Sequence, residues 1–216
     1  MRLTHFGHST VLVETATARV LLDPGNFSTT WWGLTDLDAI AVTHQHPDHI
    51  DPDRLPALLA ANPTARLLVE PSLPDVYDLP GAERLAADAS VSLGGLRIAA
   101  VGGLHAVIHR DIPRIGNVGL VVSAPGEPRF FHPGDALDAV PAGVDVVAIP
   151  AHGPWCAMKE IIDFARLLGA PHGFLIHDGL LNERGWALSF GRLNEMTPTT
   201  LVDLRAGQPW APPAAG

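Results

Sequence analysis

The chain holds a single cysteine, Cys156, in 216 residues. An intramolecular disulfide is therefore excluded, and a reducing, cytoplasmic setting is expected. No apolar run approaches the roughly 18 residues of a membrane-spanning helix. The opening Met1–His5 carries no apolar leader segment. Basic residues are scarce: 14 Lys and Arg stand against 23 Asp and Glu, with no basic cluster. A broad nucleic-acid footprint needs a basic surface, so a small-molecule substrate is the expected partner, with homo-oligomerisation left open. Charged residues make up only 17% of the chain and hydrophobic ones 47%, enough for a sizeable core. Repeats and internal linkers are lacking. One domain over residues 1–205 is expected, followed by a Pro/Ala-rich tail over 206–216 that should fray.

What the chain does have is histidine. Three of its 11 histidines fall in Thr43-His44-Gln45-His46-Pro47-Asp48-His49. Imidazole nitrogens and carboxylate oxygens are the donors that hold zinc and similar divalent ions. In extended backbone, residues i and i+2 point to one side, so His44 and His46 can grip one ion together. Asp48 and His49 follow the turn-favouring Pro47 and can address a second.

The chain reads as short strands alternating with a few helices. Strands are expected at 2–6, 10–15, 19–23, 39–43, 66–69, 96–102, 118–123, 129–132, 144–149 and 173–177. Helices are expected at 51–61, with Asp51 as N-cap, at 157–168 and at 183–194. Residues 72–92 show no single pattern. Polar residues recur where strands end: Asp23, the His run, His105, Asp135 and His177. Loops at one sheet edge can converge on a shared site while the strands hold them still.

These positions supply the remaining donors. His105, after Gly102-Gly103, serves as the third imidazole for the first ion, the glycines allowing close backbone approach. Asp135 has two oxygens and can bridge both ions. His177 completes the second. With these residues in this order, the chain resembles the metallo-β-lactamase-fold hydrolase superfamily. Its opening Phe6-Gly7-His8-Ser9 is similar to the group that includes the ascorbate-6-phosphate lactonase. The resemblance implies an α+β, four-layer αββα sandwich with two metals at one edge. His44, His46 and His105 would hold the first metal and Asp48, His49 and His177 the second, with Asp135 between them. Asp23 would orient the metal-binding loop by hydrogen bonding. The combination of Asp48 and Asp135 departs from true class B β-lactamases, so antibiotic hydrolysis is not expected.

The implied chemistry is hydrolysis by a water shared between two ions about 3.5–4 Å apart. The substrate would be a small ester, lactone, phosphoester or amide. Zinc is the expected metal, and manganese and iron also suit the donors. Asp48, with one oxygen free of the metal, can relay a proton to the leaving group, and His109 and His152 are further acids. His8, His109, Asn117 and His152 are candidate substrate contacts. His5 and His172 read as structural, and His132 as structural or as a support behind the ligands. Trp31 and Trp32 read as core, and Cys156 as a small buried hydrophobe. Two rival functions remain: an iron-based redox enzyme on the same fold, and a metal-stabilised binding domain without turnover.

Overall fold

Along β3 (Arg19–Leu22), Val20 and Leu22 enter one apolar cluster while Leu21 enters another. Neighbouring strands repeat this two-sided burial, so the sheet must be covered on both faces. In the computed structural model, which describes residues 1–213, β1 (Arg2–His5), β2 (Val11–Glu14), β3, β4 (Ala39–Val42), β5 (Arg66–Val69) and β6 (Glu83–Arg84) form the first sheet in chain order. Its β1–β3 part is antiparallel, and β3 to β6 run parallel.

The second sheet also follows chain order: β7 (Ser90–Leu93), β8 (Leu96–Leu104), β9 (Gly116–Ser123), β10 (Phe130–His132), β11 (Val146–Pro150), β12 (His172–Ile176) and β13 (Thr200–Leu201). Strands β7 to β10 are antiparallel, and β10 to β13 are parallel. The crossovers in the parallel half are α2 (Met158–Leu168) and α3 (Glu183–Met196). A third helix, α1 (Leu55–Ala61), covers the first sheet.

Three apolar clusters separate four layers. The middle one joins the sheets, with Val11, Leu22 and Ala41 facing Ile98, Leu120, Phe130 and Phe174. Phe130 and Phe174 stack with centroids 5.9 Å apart, both fully buried. Burial of each such side chain contributes about 1.5–3 kcal/mol. On the outer face of the first sheet, Ile40 and Leu67 meet Leu55 and Leu58 of α1. Beyond the second sheet, Phe131, Val147 and Leu175 meet Ile161 and Phe164 of α2 and Trp186 of α3. The result is an αββα sandwich of the α+β class, as the resemblance implied.

Local signals explain the helix ends. The side chain of Asn182 accepts hydrogen bonds from the amides of Arg184 and Gly185, at 3.1 and 3.0 Å, which starts α3. At the other end of α2, Gly169 takes a left-handed φ of 65°. The first helix is shorter than expected. Asp51 caps the amides of Asp53 and Arg54 in a preceding turn, and the α-helix begins only at Leu55.

Other expectations need correction. Within the expected C-terminal tail, Trp210 is tied to β1. Trp210 and Leu3 exchange backbone hydrogen bonds, both 2.8 Å, and the indole packs on the central core. Residues 214–216 lie outside the described residues. Trp31 is buried as expected, but Trp32 is 46% exposed beneath the Arg54 guanidinium, 4.3 Å from its ring. Gly102 and Gly103 have φ of 83° and 145°, and a Cβ at either would meet only another Cβ at ordinary contact distance. They are needed for backbone conformation, not for close approach. Among the described residues, no helix is long and apolar enough to cross a membrane.

Candidate metal centre

Loops at the C-terminal ends of β3, β4, β10, β11 and β12 meet at one edge of the sandwich, joined by the β1–β2 turn and the residue after β8. Strand β4 delivers Thr43 and then the His run. Close backbone approach fixes this loop, since a Cβ on Gly25 would fall 1.8 Å from the carbonyl oxygen of Asp48. Gly134, at φ 62°, seats the Asp135 loop equally tightly against Asn117 and Thr43.

The side chains gather into two groups. His44, His46, His105 and Asp135 form one, and His8, Asp48, His49 and His177 the other. Within each group the donor atoms lie within 4.8 Å of one another. Asp135 joins them. Its Oδ1 is 3.1 Å from His49 Nε2, and its Oδ2 is 3.1 Å from His177 Nε2 and 3.4 Å from His105 Nε2. The carboxylate thus reaches donors of both groups.

Hydrogen bonds behind the rings set their tautomers. Asp23 accepts from the Thr43 amide at 2.8 Å, from the Thr43 hydroxyl at 2.7 Å and from His49 Nδ1 at 2.6 Å. With its proton committed to Asp23, the Thr43 hydroxyl can only accept from His44 Nδ1, 3.0 Å away. His105 Nδ1 donates to the Ala106 carbonyl at 2.7 Å. His44, His49 and His105 therefore turn unprotonated Nε2 atoms toward the centre in their neutral forms. His44 Nε2 lies 3.1 Å from His46 Nδ1. A Nδ1–H tautomer of His46 donates to His44 Nε2 at that distance, and a cation between the two nitrogens would take the place of that proton. Zn–N bonds of about 2.0–2.1 Å at tetrahedral angles place two nitrogens about 3.3 Å apart. His105 Nε2, Asp135 Oδ1 and both nitrogens of His177 are buried without a well-directed hydrogen bond. Of these, His105 Nε2, Asp135 Oδ1 and His177 Nε2 lie within the same cluster. The donor set fits divalent ions.

His8 differs from the other rings. Its Nδ1 accepts the Gly179 amide at 3.1 Å, so its Nε2 carries the proton and donates to Asp48 Oδ2 at 2.9 Å. The His8 amide donates to Asp178 Oδ1, and the His177 amide donates to the His8 carbonyl. The two loops are thereby stapled together. His8, Asp23 and His177 have φ of 49°, 46° and 54°, left-handed values uncommon outside glycine. Such strain is concentrated at functional sites.

Charge divides the groups further. Burial, then the neighbouring His49, lowers His44 well below its ordinary pKa, and burial also lowers His46. In the second group, burial opposes protonation of His177, but Asp135 and Asp48 outweigh it and raise the pKa to about 9. Asp135 and Asp23 likewise hold His49 well above the usual imidazole range, against burial. Burial opposes ionisation of Asp135, yet the surrounding histidines keep it well below the carboxylate range.

The remaining sequence-derived residues lie apart or serve as supports. Asn117 is buried, with both ends of its amide used: it donates to the Pro133 carbonyl and accepts from the Asp135 amide at 2.9 Å. His109 is solvent-exposed, paired with Asp111 at 3.5 Å. His152 is exposed as well. His132 ties its loop to the Ser9 carbonyl at 2.9 Å, and His5 does the same to the His8 carbonyl. Cys156 is partly buried, and burial raises its thiol to about 12. Sequence reasoning missed Trp155, whose Nε1 donates to Asp135 Oδ2 at 2.9 Å. Its only signal is an indole in a Gly-Pro-rich loop after a buried strand. Phe27, Ile108 and Leu180 also line the opening and carry no signal at all in the sequence.

Comparison with known proteins gives the family and the fold. The chain is 44% identical to Protein Rv0786c of Mycobacterium tuberculosis over 92% of its own length and 94% of the relative's. It is 29% identical to a UPF0173 metal-dependent hydrolase of Xanthobacter autotrophicus, over 62% of each chain. The fold is shared with the metallo-beta-lactamase fold protein YhfI from Bacillus subtilis, at a TM-score of 0.73, 13% identity, and coverage of 97% and 98% of the two chains. The beta-lactamase superfamily domain model matches residues 2–172, which places this chain in the beta-lactamase superfamily.

Proposed function

We propose that the chain is a metal-dependent hydrolase with a dinuclear centre. The observation that carries this reading is the reach of Asp135, whose two oxygens approach donors of both groups within 3.4 Å. His44, His46 and His105 would hold one ion, and Asp48, His49 and His177 the other, with Asp135 shared. Zinc suits this set of imidazoles and carboxylates. When bound, the ions would supply a shared water acidified toward neutral pH and Lewis-acid stabilisation of charge on the substrate oxygen. The similarity to a named metal-dependent hydrolase supports the same reaction class.

The chain's own residues divide the remaining work. Asp23 fixes the His49 ring and, through Thr43, the His44 ring. Trp155 and the backbone contacts of Asn117 hold Asp135 in place. His8 occupies one lone pair of Asp48 Oδ2, which fixes that carboxylate's orientation. Asp48 is 19% exposed at its side chain and faces the opening, so it is the group placed to return a proton to the leaving atom. The substrate is a small ester, lactone, amide or phosphoester.

Elemental analysis of the purified protein, with His46→Ala and Asp135→Ala alongside, tests this reading. About two equivalents of zinc or manganese, reduced in both variants, is the expected result. Iron as the dominant metal would redirect the assignment to redox chemistry. No metal after reconstitution would defeat it.

A further inference from the structure

The approach to the centre is apolar. A cavity of about 410 Å³ opens onto His46, Asp48, Asp135 and His177. Its walls are Phe27, Pro47, Ile108, Pro154, Trp155 and Leu180, and Asn26 is the one neutral polar side chain among them. Phe27 and Leu180 remain 48% and 55% exposed at its rim. Apolar side chains left open to water around a concave site mark a surface that binds an apolar group.

Arginine and lysine side chains are missing from the same lining. The chain has one lysine, Lys159, exposed on α2. Arg114 lies in a neighbouring depression on the far side of Trp155, where it donates to the His105 carbonyl and lies 3.7 Å from Asp138. Arg110, two residues beyond Ile108, is 87% exposed and leans toward Asp111 at 3.9 Å. Phosphate and carboxylate groups remote from the metals are recognised by paired, directed Arg or Lys donors. An anionic tail in this cavity would instead lose its hydration against hydrocarbon, which is costly.

We propose that the substrate is an uncharged acyl compound with an apolar tail: an ester, lactone or amide, and not a phosphoester or a carboxylate-bearing molecule. This rests on the hydrolase reading above and narrows it. The scissile carbonyl sits over Asp135, and the tail lies along Phe27, Ile108 and Leu180. Water adds to the carbonyl carbon, the acyl C–O or C–N bond breaks, and the leaving atom takes up a proton. A free acid and an alcohol or amine result, with no further reactant.

The test uses zinc-loaded protein and p-nitrophenyl acetate, butyrate and octanoate. Beside them stands the hemisuccinate, which replaces the terminal methyl of butyrate with a carboxylate, and bis(p-nitrophenyl) phosphate. Each methylene should raise kcat/KM by up to about fourfold until the cavity fills. Hemisuccinate should fall at least about tenfold below butyrate. Leu180→Arg should narrow that gap while lowering octanoate turnover. Preference for hemisuccinate or phosphate, with turnover intact, overturns the inference and leaves the hydrolase reading standing. Calorimetric binding of octanamide, butanamide and succinamate to the same protein separates the two further. If no ester or phosphate turns over although zinc is bound, the hydrolase reading falls. Tighter succinamate than butanamide would then also overturn the apolar assignment, and tighter octanamide would uphold the cavity's preference.

Discussion

His44 and His46 lie below the ordinary imidazole pKa, while His49 and His177, a few ångströms away, lie above it. Burial acts on all four rings. The difference comes from carboxylates: Asp23 backs His49, and Asp48 and Asp135 both approach His177, whereas a neutral hydroxyl backs His44. His44 and His46 are therefore already neutral and ready to coordinate. In the second group, protons occupy the places that an ion would take, and they must leave for it to enter. One sheet edge thus carries two donor groups of unlike charge, and if both take an ion, stepwise loading is expected.

The largest effect should come from the residue common to both. Asp135→Ala is expected to lower kcat/KM by at least about 10³-fold, since it removes a carboxylate that both groups need. Metal analysis of the variant should show loss from both groups. Retention of one full equivalent would show that Asp135 belongs to one group only.

Next is Asp23→Asn, aimed at the second group. An asparagine weakens the acceptor for His49 Nδ1 directly and acts on His44 only through the Thr43 hydroxyl, with His46 and His105 untouched. Affinity for the more weakly held ion should fall about 10–100-fold, and that for the tighter ion by less. Competition with a coloured chelator resolves the two steps. Equal weakening of both would erase the distinction drawn between the groups.

The pH response gives a smaller, graded effect. In the metal-free protein the folded-state pKa of His177 is raised to about 9. A raised pKa contributes stability that is full below the unfolded value, about 6.5, and is lost as pH climbs through the folded value. The metal-free Tm should therefore decline between about pH 6.5 and about pH 9 from this group. Zinc needs the neutral ring, so its stabilisation grows over the same interval. Thermal unfolding with and without zinc across this range measures the gap. A gap that narrows with rising pH would contradict the charge assignment.

The smallest effect is expected for Trp155→Phe, which keeps the ring in the wall and deletes one hydrogen bond to Asp135 Oδ2. Denaturant unfolding of the metal-free protein should show a loss of about 1–2 kcal/mol. No change at all would mean that the indole only fills space.

Much of the site was legible because its donors are adjacent in the chain. His44, His46, Asp48 and His49 follow one buried strand, and alternation in β4 determines where they emerge. His105, Asp135 and His177 could be read by the same rule, each lying just past a strand end. Of the supports, Asp23 was expected through the resemblance, and the others were not legible. His8 meets Asp48 across 40 residues, and Trp155 meets Asp135 across 20. His152 looked better placed than Trp155 in the same loop, yet the turn at Gly153 directs the indole inward and leaves the imidazole in water.

The sequence by itself determined the two-faced strands, hence the layered fold, and the chemical nature of the donors, hence a metal centre. Both follow from local rules: side-chain period along a strand and the affinity of imidazole and carboxylate for divalent ions. Only the tertiary structure decided which nitrogen of each ring faces inward, how the carboxylates divide charge between the two groups, and that the mouth is lined with hydrocarbon. Those properties depend on contacts between loops far apart in the chain, which no local pattern encodes.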